Sequence, residues 1–182
     1  NIYNYSKDVY FSNVSGVYQK PFMFEMSIKD NLSLIDSNAK NQVDACKRVG
    51  IHDFIVSLPK GYNTVISEEG CVLSEGQKQL LVIARSLLSK SEILLFDEIT
   101  SNIDPTTTTK IGELLNDLKI DHTIIMVTHK PEMMELADRI IVLDNGKVVA
   151  KGLNKDVYDK CKLYQDLKNR TFASVSVMEE ML

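Results

Sequence analysis

The clearest alternation of apolar and polar positions lies in the middle of the chain. Leu80, Ile83, Ala84, Leu87 and Leu88 recur at i, i+3, i+4, i+7 and i+8, which predicts a helix with a core-facing stripe. Ile93-Leu94-Leu95-Phe96 follows. It is too short for a helix and apolar without alternation, the pattern of a parallel strand covered on both faces. Ile111, Leu114, Leu115 and Leu118 define a second helical face, and residues 123–128 a second buried strand. Upstream, residues 14–18 suit a strand. Three short helices are expected at 27–34, 38–49 and 51–58, the second carrying Val43, Cys46 and Val49 at helical steps. Residues 132–137 read as a short helix. Residues 153–169 read as one amphipathic stretch with Tyr158, Cys161, Tyr164 and Leu167 on one side.

Punctuation agrees with this division. Ser74 can cap the central helix, and Gln77 three residues on gives the form of a capping box; Ser27 with Asp30 has a similar form. Gly50 stops the 38–49 helix, and Pro59-Lys60-Gly61 ends the next. Asp104 before Pro105 is an N-cap followed by proline at the first helical position. Asp144-Asn145-Gly146 predicts a tight hairpin between 139–143 and 147–151. Elements that alternate between strand and helix in this way predict an α/β fold on a parallel sheet.

The chain has 182 residues, enough for one good core. Its net charge of −4 makes no case for a nucleic-acid partner. No apolar run is long enough to span a bilayer, so a membrane role requires a partner. The first residue is Asn rather than Met, and the expectation is of a chain that begins inside a longer protein. Its three cysteines, Cys46, Cys71 and Cys161, are scattered and fit no zinc spacing.

The chemistry concentrates at the strand ends. Ligands of open parallel sheets sit beyond the carboxyl ends of the strands, and there Asp97 and Glu98 stand side by side. The first suits Mg²⁺, and the second can orient or deprotonate an attacking water. Unpaired N–H groups at the helix start near Ser74 attract anions, phosphate above all.

These residues resemble the ATP-binding-cassette (ABC) transporter ATPases. LSEGQ at 73–77 looks like the signature motif, ILLFDE at 93–98 the Walker B strand, and SNID at 101–104 the D-loop. TIIMVTH at 123–129 looks like the switch-His strand, and VYQKPFMF at 17–24 is similar to the Q-loop. The five motifs stand in family order. The resemblance implies a P-loop NTPase (RecA-like) parallel-sheet core at 1–20 and 90–165, a helical subdomain inserted at 21–89, and a tail at 166–182. It implies ATP and Mg²⁺ as cofactors. Glu98 and His129 become the catalytic pair, the latter reading the γ-phosphate. Asp97 and Gln19 become metal-associated residues, and Gln19, Ser74, Gly76, Gln77 and Asp104 nucleotide-binding ones. The implied partners are a transmembrane domain and a second nucleotide-binding domain, identical or not, at the cytoplasmic face of a membrane. The acids of residues 64–70 resemble the loop before the signature in exporters, and PFMF at 21–24 falls where the family meets its membrane domain. DNA-repair ATPases of the superfamily carry long coiled coils between these motifs, and only a compact helical segment fits here.

Two departures qualify the resemblance. Glu75 stands where the signature commonly has Gly, which leaves either reduced ATP affinity or no effect. No G-x-x-x-x-G-K-S/T string occurs in the chain. The chain by itself is therefore expected to be a poor ATPase. With no neighbour for the 123–128 strand, it is also expected to expose an apolar sheet edge. The alternative is a non-hydrolysing regulatory partner that offers only its signature face.

Overall fold

The computed structural model describes residues 2–67 and 71–169. They divide into two compact units, Asn1–Val127 and Thr128–Leu182.

The first unit is built on three parallel strands, β1 (Val14–Val17), β2 (Ile93–Asp97) and β3 (Thr123–Val127), in the order β1-β2-β3. Val17 lies opposite Phe96, and Asp97 opposite Val127. The connection from β1 to β2 carries the helices α2 (Ile28–Ser33), α3 (Ala39–Arg48), α4 (His52–Ser57) and α5 (Glu75–Leu88), following α1 (Lys7–Asn13) upstream. A single helix, α6 (Pro105–Leu118), connects β2 to β3. Leu94 and Phe96 of β2 are fully enclosed, with Ile83 of α5 and Ile111, Leu115 and Leu118 of α6. Burial of side chains this size stabilises by about 1.5–3 kcal/mol each.

Helix α5 differs from its expected one-sided stripe. Gly76, Gln79, Leu80, Leu81, Val82, Ile83, Ala84, Ser86 and Leu88 are all buried, so the helix is enclosed around most of its circumference. A helix apolar on several faces belongs inside a protein. Strand β3 differs in the other direction. It is not a buried strand: Ile125 and Val127 are more than half exposed, because among the described residues β3 is the last strand of its sheet. The open apolar edge anticipated from the sequence is present.

Ser27 caps α2 by accepting from the Asp30 N–H at 3.0 Å. The reciprocal half of the expected box is replaced: Asp30 accepts from the Ser27 hydroxyl at 2.6 Å, not from its backbone. The Asp carboxylate is one methylene shorter than the Glu of a full box. Asn38 caps α3, and Gly50 follows it at φ 75°. A bidentate pair, Arg48 Nη2 to both Asp121 oxygens at 2.8 and 2.9 Å, ties the end of α3 to the turn before β3.

The second unit contains α7 (Pro131–Met134), the antiparallel hairpin β4 (Ile140–Asp144) and β5 (Lys147–Gly152), and α8 (Asn154–Lys160). Asn145 and Gly146 take φ 46° and 75°, as a two-residue hairpin turn requires. The amphipathic stretch 153–169 is two helical runs, not one. The backbone is extended at Cys161, and helix resumes over 162–169. The bend lets Val157 and Tyr164 both enter a small core with Met134 and Val142. Glu68 and Glu69 of the acidic loop, and residues 170–182 of the expected tail, lie outside the described residues.

Candidate functional site

Strand β2 ends at the acid pair. Asp97 is its last residue and is exposed. Glu98 leaves the strand in the left-handed region at φ 47°, an uncommon conformation for a residue with a side chain. Its N–H donates to Val127 O at 2.9 Å, so the turn is anchored to the neighbouring strand. The Ser101 hydroxyl donates to Glu98 O at 2.8 Å and lies 3.1 Å from Glu98 Oε2.

Gln19 lies two residues beyond Val17, the end of β1, and is exposed. The parallel register carries it to the same sheet edge as Asp97 and Glu98. His129 belongs to the second unit, two residues after the end of β3. Next to it, the Lys130 N–H donates to the Thr128 hydroxyl at 3.1 Å.

The start of α5 is a full capping box. The Gln77 N–H donates to Ser74 Oγ at 3.2 Å, and the Ser74 N–H donates to Gln77 Oε1 at 2.9 Å. The N–H groups of Glu75 and Gly76 have no intrahelical acceptor by the geometry of a helix start. The Glu75 carboxylate turns onto Lys78 Nζ at 2.8 Å, so its charge is paired at the surface. Gly76 packs against α6: a Cβ built on it would lie 2.9 Å from Thr107 Cγ2. Asp104 caps α6 by accepting from the Thr107 N–H at 2.9 Å, and that bond holds its carboxyl below the usual Asp range. Gly76 is therefore brought beside Thr107, in the first turn of α6 that Asp104 caps.

Reasoning from sequence missed Ser101, Thr107, Gln79 and Arg85. Gln79 is 1% exposed, and its amide lies 3.4 Å from Tyr18 O. Arg85 Nη2 donates to Phe22 O at 3.3 Å, and burial lowers the guanidinium pKa. A glutamine and an arginine inside an otherwise apolar helix were the available signal.

Among the described residues no group of three or more His, Cys, Asp or Glu side chains could hold a metal ion by itself. One or two carboxylates completed by phosphate oxygens and water is the way Mg²⁺ is held in nucleotide sites, and the Asp97 carboxylate fits that donor set. Among the same residues no helix is long and apolar enough to cross a membrane.

Parallel strands ending in adjacent acids, connected by helices, form the α/β core of a P-loop NTPase. Residues 18–135 match a family described as "AAA domain, putative AbiEii toxin, Type IV TA system". The chain is 36% identical over 162 residues to an uncharacterized ABC transporter ATP-binding protein, YfiC, of Bacillus subtilis, covering 88% of this chain and 27% of that protein. It is 38% identical over 164 residues to the ABC multidrug transporter atrD of Emericella nidulans, covering 88% of this chain and 12% of that one. A bacterial Atm1-family ABC exporter solved with ATP bound superposes with TM-score 0.81 at 31% identity, over 88% of this chain and 29% of the exporter chain. The chain belongs to this AAA-domain family and is an ABC nucleotide-binding domain of exporter type. It spans about a quarter or less of the length of these two curated relatives.

Proposed function

We propose that this domain binds and hydrolyses MgATP as part of an exporter, together with a transmembrane domain and a second nucleotide-binding domain. The observation that carries the reading is the rim of the parallel sheet, where Asp97, Glu98 and the Gln19 segment follow neighbouring strand ends. Bound Mg²⁺ would neutralise charge on the transferring phosphoryl group. Asp97 and Gln19 would be the residues that hold that metal. Glu98 accepts the proton of the water that attacks the γ-phosphorus, while the bond to the bridging oxygen breaks. Ser101 orients the Glu98 carboxylate. His129, in the second unit, is the proposed reader of the γ-phosphate.

The start of α5 serves a different ATP. The Glu75 and Gly76 N–H groups, with Ser74 and Gln77, face a triphosphate held by the second nucleotide-binding domain, and Asp104 supports that face. A helix start favours an anion through its unpaired donors and its dipole. The pairing of Glu75 with Lys78 supports the reading that the extra carboxylate leaves this face usable. Residues 1–182 contain no G-x-x-x-x-G-K-S/T loop, so the main grip on the phosphates comes from outside them. Turnover belongs to the assembly.

The test is ATP turnover by the longest protein that contains this chain, reconstituted in membranes, against Asp97→Asn, Glu98→Gln and His129→Ala. Wild-type turnover with all three variants inactive, but still folded, is expected. Unchanged turnover in Glu98→Gln overturns the assignment of the base.

A further inference from the structure

Residues 18–24, which carry Gln19, are held by side chains reaching in from two helices. The Gln79 amide meets Tyr18 O at 3.4 Å, and Arg85 Nη2 meets Phe22 O at 3.3 Å. Asn31 of α2, fully buried, accepts from the Phe24 N–H and donates to Phe24 O, both at 3.0 Å. Phe22 and Phe24 pack edge to face at 4.8 Å between centroids.

The order of these contacts has a direction. Gln79 and Arg85 are six residues apart on α5, about 9 Å along the axis. Their acceptors are four residues apart, and such a stretch of extended chain reaches up to about 13 Å. The earlier residue of the Gln19 segment is therefore bonded to the earlier position on α5, and the later residue to the later position.

The two ends of the segment differ in how firmly they are held. Asn31 grips Phe24 through both backbone groups, and the remaining grip is through single bonds to α5. Arg85 Nη1 is buried without a hydrogen-bond partner. A buried guanidinium N–H without an acceptor is costly, and native proteins rarely keep one without a reason. One arm of the fork is engaged, at Phe22 O.

We propose that Arg85, assisted by Gln79, is a positioning residue that couples α5 to Gln19. Its guanidinium holds the segment at Phe22 O, and the Gln79 amide meets it at Tyr18 O. The coupling rests on the ATPase reading above only for its consequence in turnover. As a mechanical link between the signature helix and the 18–24 segment, it stands on the contacts alone.

Two readouts test it, on the longest protein containing the chain. The first is amide hydrogen exchange. Arg85→Gln is expected to raise exchange at residues 19–24 by about tenfold or more while leaving β2 and α6 protected. Arg85→Lys, which keeps the charge and stem but not the fork, is expected to fall between. It also serves if Arg85→Gln does not fold. The second is steady-state kinetics. Arg85→Gln is expected to lower kcat about tenfold with KM for MgATP within about twofold, with partial recovery in Arg85→Lys.

Unchanged exchange at 19–24 in both variants overturns the proposal. So does loss of protection spread equally through α5, α6 and β2, the mark of ordinary core damage. Local loosening of 19–24 with normal kcat removes the positioning role. A wild-type protein that turns over no ATP defeats the proposed function instead. In that event the exchange data still decide whether Arg85 is the link.

Discussion

The hydroxyl of Ser101 lies within hydrogen-bond distance of both the backbone carbonyl and a side-chain oxygen of Glu98, at 2.8 and 3.1 Å. The turn after β2 thus closes on its own acid. It fixes a carboxylate whose backbone already stands at φ 47°. Glu98→Gln preserves shape and removes the proposed base. It is expected to lower turnover of the assembled protein by about 10²–10⁴-fold with little change in Tm. Ser101→Ala removes only the orienting bond and is expected to cost less in kcat than Glu98→Gln, measured side by side.

Gly76 has a steric duty apart from any phosphate. A side chain there meets Thr107 Cγ2 at 2.9 Å, below any normal contact, and Thr107 is β-branched with few rotamers to yield. Gly76→Ala is expected to destabilise the chain by about 1–3 kcal/mol in urea unfolding, as overpacking does. Adding Thr107→Ser, which deletes the clashing methyl, should recover most of that. A double mutant no better than Gly76→Ala would show that the contact is not the cause.

Acid sensitivity has named sources. Asp36, Asp104 and Asp121 all titrate below the usual Asp range, held there first by the Asn38 N–H, the Thr107 N–H and Arg48 respectively. A folded-state pKa below the unfolded value stabilises the native state above the unfolded Asp pKa of ~3.9. That stabilisation is lost as pH falls through the folded value. Tm should therefore be flat near neutrality with respect to these groups and drop below about pH 4. Asp104→Asn keeps a capping acceptor but does not titrate, so its Tm should fall less steeply with acid than that of the parent.

Cys46 is buried between α3 and its neighbours, and burial pushes its thiol up to about 11, against a smaller downward pull from Tyr62. Thiolate is the reactive form. At pH 8 a disulfide reagent such as DTNB should label Cys71 and Cys161, both half-buried, well before Cys46. Cys46 should follow only with unfolding, and early labelling would contradict its enclosure.

Much of the local structure was legible before any coordinates. Caps at Ser74 and Asp104, the Asn145-Gly146 turn, and the stripe of α6 depend on residues a few positions apart, so the signals lie within one window of sequence. The strand-end acids were legible for the same reason: an apolar run followed by two carboxylates needs no long-range information.

What depends on distant partners was not legible. The exposure of β3 is decided by which strand lies beyond it, and its own residues look like those of a buried strand. Enclosure of α5 on most sides, the break at Cys161, and the bonds from Gln79 and Arg85 to the 18–22 backbone came only with the tertiary structure. Sequence alone pointed to the residues proposed to bear the chemistry and to the helices that begin beside them. Tertiary packing decided what holds them, because a hydrogen bond across some sixty residues is set by the meeting of two elements and leaves no periodic trace in either.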